Sequence, residues 1–297
     1  MHFLTFNTMK QKQFGGLSPE FTNFDKSKVV ILPVPFDATS TWIKGADKGP
    51  EALIAASANM ELFDINSDSE VYKIGIHTAD AVHERKSPEK MVKEVQNIVT
   101  QLLKKKKFPV ILGGEHSVSI GAINAMAEYY KDKDLTILQF DAHADMRQSY
   151  EGSKYNHACV MARAAEVAPI VQVGIRSMSV EESHDIEDSR VFYADVVTDT
   201  SNKTWMYDFL NKLTKNVYIT IDLDAFDPSI MPATGTPEPG GLKWYPMLEL
   251  LRKVNDNTNI VGFDVVELCP MKYNKAPDFL AAKLVYHLLT YKFGPQR

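Results

Sequence analysis

Leu135-Thr136-Ile137-Leu138-Gln139-Phe140 runs directly into Asp141-Ala142-His143-Ala144-Asp145, and Val217-Tyr218-Ile219-Thr220-Ile221 runs likewise into Asp222-Leu223-Asp224. A short, nearly continuous apolar run reads as a strand covered on both faces. In an extended chain, residues two apart project to the same side. Each run can therefore aim its acidic and imidazole groups at one point just past its end. A third run, Pro109-Val110-Ile111-Leu112, leads into Gly113-Gly114-Glu115-His116 and adds a second imidazole.

Outward from these, similar runs occupy Val29 to Val34, Val71 to Ile76, Ile170 to Val173, Val191 to Tyr193 and Ile260 to Phe263. Helical spacing recurs between them, in Pro50 to Phe63, Ser117 to Tyr130, His157 to Val167, Trp205 to Leu213, Tyr245 to Val254 and Phe279 to Tyr291. Ser87-Pro88 supplies a cap and a first-turn proline for another helix, in which Met91, Val92, Val95, Ile98, Val99, Leu102 and Leu103 share a face. This alternation predicts an α/β fold: a parallel sheet with helices on both faces. Ligands of such sheets bind beyond the carboxyl ends of the strands, where the three polar clusters fall. The loops Thr39 to Gly49, Gln148 to Asn156 and Asp227 to Leu242 would form the rim. Without a linker-like break, residues 1–297 read as one domain, with 1–27 an N-terminal extension and 28–292 the core.

Of the 297 residues, 44% are hydrophobic and 24% charged, as in soluble globular proteins. The net charge of −5 gathers no nucleic acid, and no apolar run approaches a membrane span. Cys159 and Cys269 give no disulfide framework. A cytoplasmic location is expected.

Burying the carboxylates of Asp141, Asp145, Asp222 and Asp224 together costs heavily in desolvation and repulsion unless cations balance them. Two divalent ions do so, and with His116 and His143 the set offers six candidate ligands. Oxygen-rich donors without thiolate suit Mn²⁺. Two such ions acidify a shared water and so generate hydroxide at neutral pH. The rival chemistry is a Cys159 thiolate with His157 as base, set against Cys159 as buried filler in an apolar helix. His157 reads either as a helix-end residue or as a proton shuttle. Glu267 either pairs with a planar cation or satisfies a turn. Gly113-Gly114 reads as room for His116, and Lys104 to Lys107 as the solvated end of a helix. His2, His77, His83, His184 and His287 acquire no role from spacing.

Gly-Gly-Glu-His at 113–116, Asp-Ala-His-Ala-Asp at 141–145 and Asp-Leu-Asp-Ala-Phe-Asp-Pro at 222–228 together resemble the signatures of the ureohydrolase family of arginases and agmatinases. The resemblance runs from about Val29 to the last helix, and the loops around Tyr150 to Ala158 and Thr236 to Leu242 are most similar to bacterial agmatinases. It implies a three-layer α/β/α sandwich with an eight-stranded, mainly parallel sheet and two Mn²⁺ per chain. One ion would be held by His116, Asp141, Asp145 and Asp222, the other by Asp141, His143, Asp222 and Asp224. It further implies that His157 serves the leaving amine, that Glu267 holds the guanidinium, that Thr236 lies in the substrate-side loop, and that the chain forms a homo-oligomer. Where arginases usually carry an Asn that reads the amino acid, this chain has Arg147.

The expected reaction is hydrolysis of agmatine to putrescine and urea by attack of a metal-bridging hydroxide, with Asp145 or His157 moving protons. The alternatives are a sibling hydrolase of guanidinobutyrate, arginine or formiminoglutamate, a metal-holding protein without catalysis, and the Cys159 thiol enzyme.

Overall fold

The computed structural model describes residues 13–131, 134–199, 201 and 203–295. Its strands are β1 (Val29–Val34), β2 (Ile76–Thr78), β3 (Phe108–Gly113), β4 (Leu135–Phe140), β5 (Ile170–Ile175), β6 (Val191–Tyr193), β7 (Asn216–Asp222) and β8 (Asn259–Val266). Among the described residues they form one eight-stranded sheet in the order β2-β1-β3-β8-β7-β4-β5-β6. Every strand pairing in it is parallel.

Alternate side chains of each strand face opposite ways. Val29, Ile31, Leu138, Phe140, Ile219 and Ile221 belong to one apolar cluster, closed by α1 (Gly49–Ser57), α5 (Trp205–Lys212), α6 (Trp244–Asn257) and α7 (Ala276–Phe293). Leu32, Val34, Ile111, Ile137 and Val261 belong to the other, closed by α2 (Pro88–Lys104), α3 (Val118–Tyr130) and α4 (Val160–Ala165). The outcome is the three-layer α/β/α sandwich with helices on both faces. The Ser87 side chain caps α2 by accepting from Lys90 N at 3.3 Å, and Pro88 opens the helix.

The chain lays β2 at the edge beside β1, returns to place β3 on the inner side of β1, jumps to β4 and moves outward over β5 and β6, and then fills the gap with β7 and β8. The gap is the topological switch of the sheet, where a crevice opens at the strands' carboxyl ends. Register sets the contents of the crevice. Phe140 pairs with Ile221, so Asp141 and Asp222 leave the sheet side by side, and Asp222 pairs with Val266, which Glu267 follows at once.

Some expectations are corrected. Val71 to Ile76 is not a strand: Val71–Ile74 is a 3-10 turn closed by Gly75 at φ 83°, and the edge strand starts at Ile76. A Cβ on Gly75 would lie 2.7 Å from Ser27 Cα, so the chain turns there where a side chain has no space. Helix α1 stops at Ser57 rather than near Phe63; at this end Ser57 Oγ donates to Ile54 O and accepts from Gly15 N. Part of the stretch read as an extension is core: Phe14 is fully buried and its N–H donates to Thr78 Oγ1. Residues 1–12 of that stretch, including His2, lie outside the described residues. The lysine run is only partly a solvated helix end, since Lys107 folds back and donates to the carbonyls of Phe24, Asp25 and Ser27. His287 lies 3.4 Å from Asp64, a pairing 223 positions apart in sequence that spacing could not show. No described helix is long and apolar enough to cross a membrane.

Candidate metal centre

All six candidate ligands converge at the switch. His116 Nδ1 lies 3.1 Å from Asp141 Oδ2, 3.1 Å from Asp145 Oδ2 and 3.4 Å from Asp222 Oδ2. His143 Nδ1 lies 2.9 Å from Asp224 Oδ2 and 3.6 Å from Asp141 Oδ1. Two groups have donor atoms close enough together to share an ion: His116, Asp141 and Asp222, and Asp141, His143 and Asp224. Asp141 is common to both. Asp222 falls in one of them only, and Asp145 reaches the first imidazole without joining either group.

Buried partners aim these ligands, and the sequence reading passed over them. His116 Nε2 lies 2.9 Å from Thr220 Oγ1, whose hydroxyl donates to Asp264 Oδ1 at 2.6 Å, and Tyr218 donates to the other oxygen of Asp264. With its proton committed to Asp264, Thr220 accepts from His116 Nε2–H. In the neutral ring this makes Nδ1 a lone pair facing three carboxylates. That buried Nδ1 has no hydrogen-bond partner. An acceptor facing acceptors is repulsive unless a proton or a metal cation lies between them, so the donor set fits a metal. Gln172 orients Gln139, which donates to Asp141 Oδ2 at 2.7 Å. Gln139, Gln172, Thr220 and Asp264 each interrupt an apolar strand, and that interruption was the available signal.

Local backbone completes the cage. His143 N donates to Asp141 Oδ1 at 2.6 Å, Ala142 N to Asp224 Oδ1 at 3.0 Å, and Asp224 N to Asp222 Oδ1 at 2.8 Å. Asp145 and Glu267 adopt φ of 53° and 64°, a left-handed conformation that costs a side-chain-bearing residue roughly 1–2 kcal/mol. The Gly113-Gly114 pair does not make room for His116. A Cβ on Gly114 would lie 1.8 Å from Phe36 O and one on Gly113 2.5 Å from Val266, so the pair admits neighbouring chain.

Beside the cage lies a cavity of about 290 Å³, lined among others by His157, Thr236 and Glu267. Glu267 is half-buried, with Oε1 accepting from His116 N at 2.7 Å. The Thr39 hydroxyl accepts from His157 N at 3.1 Å and lies 3.2 Å from its Nδ1, which leaves Nε2 uncommitted. Thr39 is 118 residues away in sequence, so nothing local marked it. Residues 40–43 and 235–236 and Tyr150 line the cavity as rim expectations had it, and the unforeseen Ser179 and Glu182 join them. These two close a capping box on a short helix, Val180–Asp185, and Glu182 also accepts from Met146 N. Arg147 lies over the Tyr150 ring at 4.6 Å, with Nε 3.6 Å from Glu182.

Burial and the neighbouring Asp141 charge push Asp145 up to about 7, and burial with Asp224 and Asp141 raises Asp222 well above the usual carboxylate range. Burial disfavours the charged ring of His143, but the Asp224 and Asp141 carboxylates outweigh it and push the ring up to about 12. Burial opposes ionisation of Asp141 as well, yet His116 and His143 outweigh it and hold this carboxyl low. Burial, then the Asp145 charge, pushes the Cys159 thiol up to about 11, so it is no thiolate nucleophile at neutral pH.

These shifts give a pH prediction for metal-stripped protein. The folded pKa values of Asp145, Asp222, His116 and His143 all lie above their unfolded values, so the folded state holds the extra protons. Its stability therefore falls as pH rises above about 4. Asp141 titrates below that window. Metal binding displaces the same protons, so stabilisation by Mn²⁺ grows with pH. Melting temperatures with and without Mn²⁺ between about pH 5 and pH 8.5 should diverge as pH rises; a constant gap counts against a metal in the cage.

The arginase family model matches residues 27–290. The N(1)-aminopropylagmatine ureohydrolase of Synechocystis sp. is 37% identical over 307 aligned residues, spanning 100% of this chain and 99% of that protein. The agmatinase of Pyrococcus horikoshii is 31% identical over 88% of this chain and 90% of its own. Among solved structures, the agmatine ureohydrolase of Thermoplasma volcanium superposes with a TM-score of 0.85 at 31% identity, covering 96% of this chain and 95% of that one. Fold and site together are those of a ureohydrolase, a hydrolase of guanidino compounds. The chain belongs to the arginase family.

Proposed function

We propose that the chain releases urea from an agmatine-type amine, with two Mn²⁺ per chain as its metal, as a step of polyamine biosynthesis in the cytoplasm. The observation that carries this reading is Glu267, a half-buried carboxylate held in a left-handed conformation beside the ligand cage and lining the cavity. His116, Asp141, Asp145 and Asp222 would hold one ion, and Asp141, His143, Asp222 and Asp224 the other. Bound there, the pair would acidify water and balance the negative charge of the reacting centre.

The chain's own groups do the rest. Burial and the Glu115 carboxylate raise Glu267 well above the usual range, and a guanidinium, which keeps its charge at all working pH values, brings back the ionised form as its partner. Two parallel N–H···O bonds would then fix the plane of the group with its carbon over the cage. Water adds to that carbon, the bond to the alkyl nitrogen breaks, and the departing amine takes a proton. His157 is suited to move it: burial, and then the positive charge at His116 and His143 in the metal-free protein, hold the ring down to about 4, and cations bound by those rings would act in the same direction, so at neutral pH it is an uncharged carrier anchored by Thr39. Asp145 is the second proton-moving group, and Thr236 lies along the substrate-side wall.

The tail follows from the mouth. Arg147 is the cation where arginases read the amino acid, and here Glu182 and the Tyr150 ring already engage it, which disfavours an α-carboxylate on the substrate. Agmatine satisfies this, and so does its N(1)-aminopropyl derivative. We favour the aminopropyl compound, since the relative bearing that name is 37% identical over the whole chain against 31% for the Pyrococcus horikoshii agmatinase. Urea release from Mn²⁺-loaded protein on a panel of guanidino compounds tests both levels. A kcat/KM for N(1)-aminopropylagmatine about tenfold above that for agmatine, the worth of one added ammonium contact, is expected. The reverse order makes agmatine the substrate, and turnover confined to arginine or guanidinobutyrate overturns the agmatine-type reading. The same preparation should be a homo-oligomer by light scattering.

A further inference from the structure

At the opposite end of the sheet, where β1, β3 and β8 begin, Lys28, Lys106, Lys107 and Lys292 surround a cavity of about 400 Å³. Among the described residues no carboxylate lines it, although the chain as a whole carries a net charge of −5. Lys107 uses its donors on the carbonyls of Phe24, Asp25 and Ser27 at 2.7, 2.9 and 2.8 Å, which satisfies the ammonium without cancelling its charge. Lys292 donates to the neutral amide of Asn259 at 2.6 Å, and its partial burial holds it below the ordinary lysine range. Among the described residues, neither the Lys28 nor the Lys106 ammonium has a hydrogen bond or ion pair. Lys106 adopts φ 56°, a left-handed conformation with a backbone cost, in the turn that leads into β3.

Four like charges gathered without an acid repel one another. An anion entering between them removes that cost, and the anion that matches several ammonium donors at once is a phosphoryl group. We propose that this cavity binds a phosphate-bearing anion, its oxygens met by Lys28, Lys106 and Lys292 and its remaining part lying against Tyr129, which also lines the wall. The site is separate from the ligand cage and does not depend on which guanidino compound is hydrolysed.

Titration calorimetry on Mn²⁺-loaded protein at low salt tests the proposal, with pyrophosphate and ATP as probes, both supplied as Mg²⁺ complexes so that they do not strip the centre. One saturable site is expected for at least one probe. Lys28→Gln and Lys292→Gln should each weaken it roughly tenfold, the loss of one ammonium–phosphate contact. Their urea release should stay at the parent rate, which also reports that both variants are folded. Tighter binding of ATP than of pyrophosphate identifies a nucleotide, equal binding a free polyphosphate, and either supports the site. No saturable heat with either probe at millimolar concentration, or binding unchanged in both variants, overturns it.

Discussion

Asp141→Asn is expected to lower urea release on the order of 10³-fold or more, because loss of the shared charge removes several kcal/mol of stabilisation at the reacting centre. Asp141 is the one residue in both candidate ligand groups, and each of its oxygens is already met by a donor: Gln139 Nε2 at 2.7 Å on Oδ2, and His143 N at 2.6 Å on Oδ1. An amide of the same shape must turn its NH₂ toward one of them. The side chain then loses its charge and, with it, the lone pairs arranged to face cations. Metal analysis should show fewer ions retained per chain. In the metal-stripped state the variant is also expected to be less stable, since Asp141 is the carboxylate held low by the His116 and His143 rings and its loss leaves those rings and two buried donors poorly matched. A variant that keeps both its metal content and its rate would dismiss Asp141 as a bridge.

Glu267→Gln is the second large effect, and it separates substrate binding from metal binding. The amide oxygen of Gln can still accept from His116 N, so the backbone beside the cage should hold and metal content should match the parent. What goes is the charge opposite the guanidinium. Removing one member of a buried, hydrogen-bonded charge pair costs about 2–5 kcal/mol, so kcat/KM should fall between roughly 30-fold and a few thousandfold. The loss should appear in both kcat and KM, because the same contact binds the group and sets its plane over the cage. Unchanged kinetics with full metal content would return Glu267 to the role of a turn residue.

Strand β4 shows how much of this was legible. Six apolar or uncharged residues ending in Asp-x-His-x-Asp announce both a covered strand and a cluster at its end, because the period of two is a local property of extended chain. Strand β7 repeats the device, and Cys159 in its apolar helix reads as filler for a similarly local reason. Gln139 and Thr220 were visible as polar residues in apolar strands, yet their partners Gln172 and Asp264 come from other strands. Thr39 could not be matched to His157 at all. At the edge of the sheet, Val71 to Ile76 misled because the space available at Gly75 depends on Ser27, far away in the sequence.

By itself, the sequence determined the strand and helix alternation, the side of the sheet on which chemistry would lie, and the six donors that gather there, since hydrophobic periodicity and charge balance act residue by residue along the chain. Only the tertiary structure decided which donors share a neighbour, which way His116 presents its lone pair, how Arg147 is engaged, and that four lysines line a second cavity. Those are matters of register and packing between segments distant in sequence, where direction and distance, rather than residue type, set the energy.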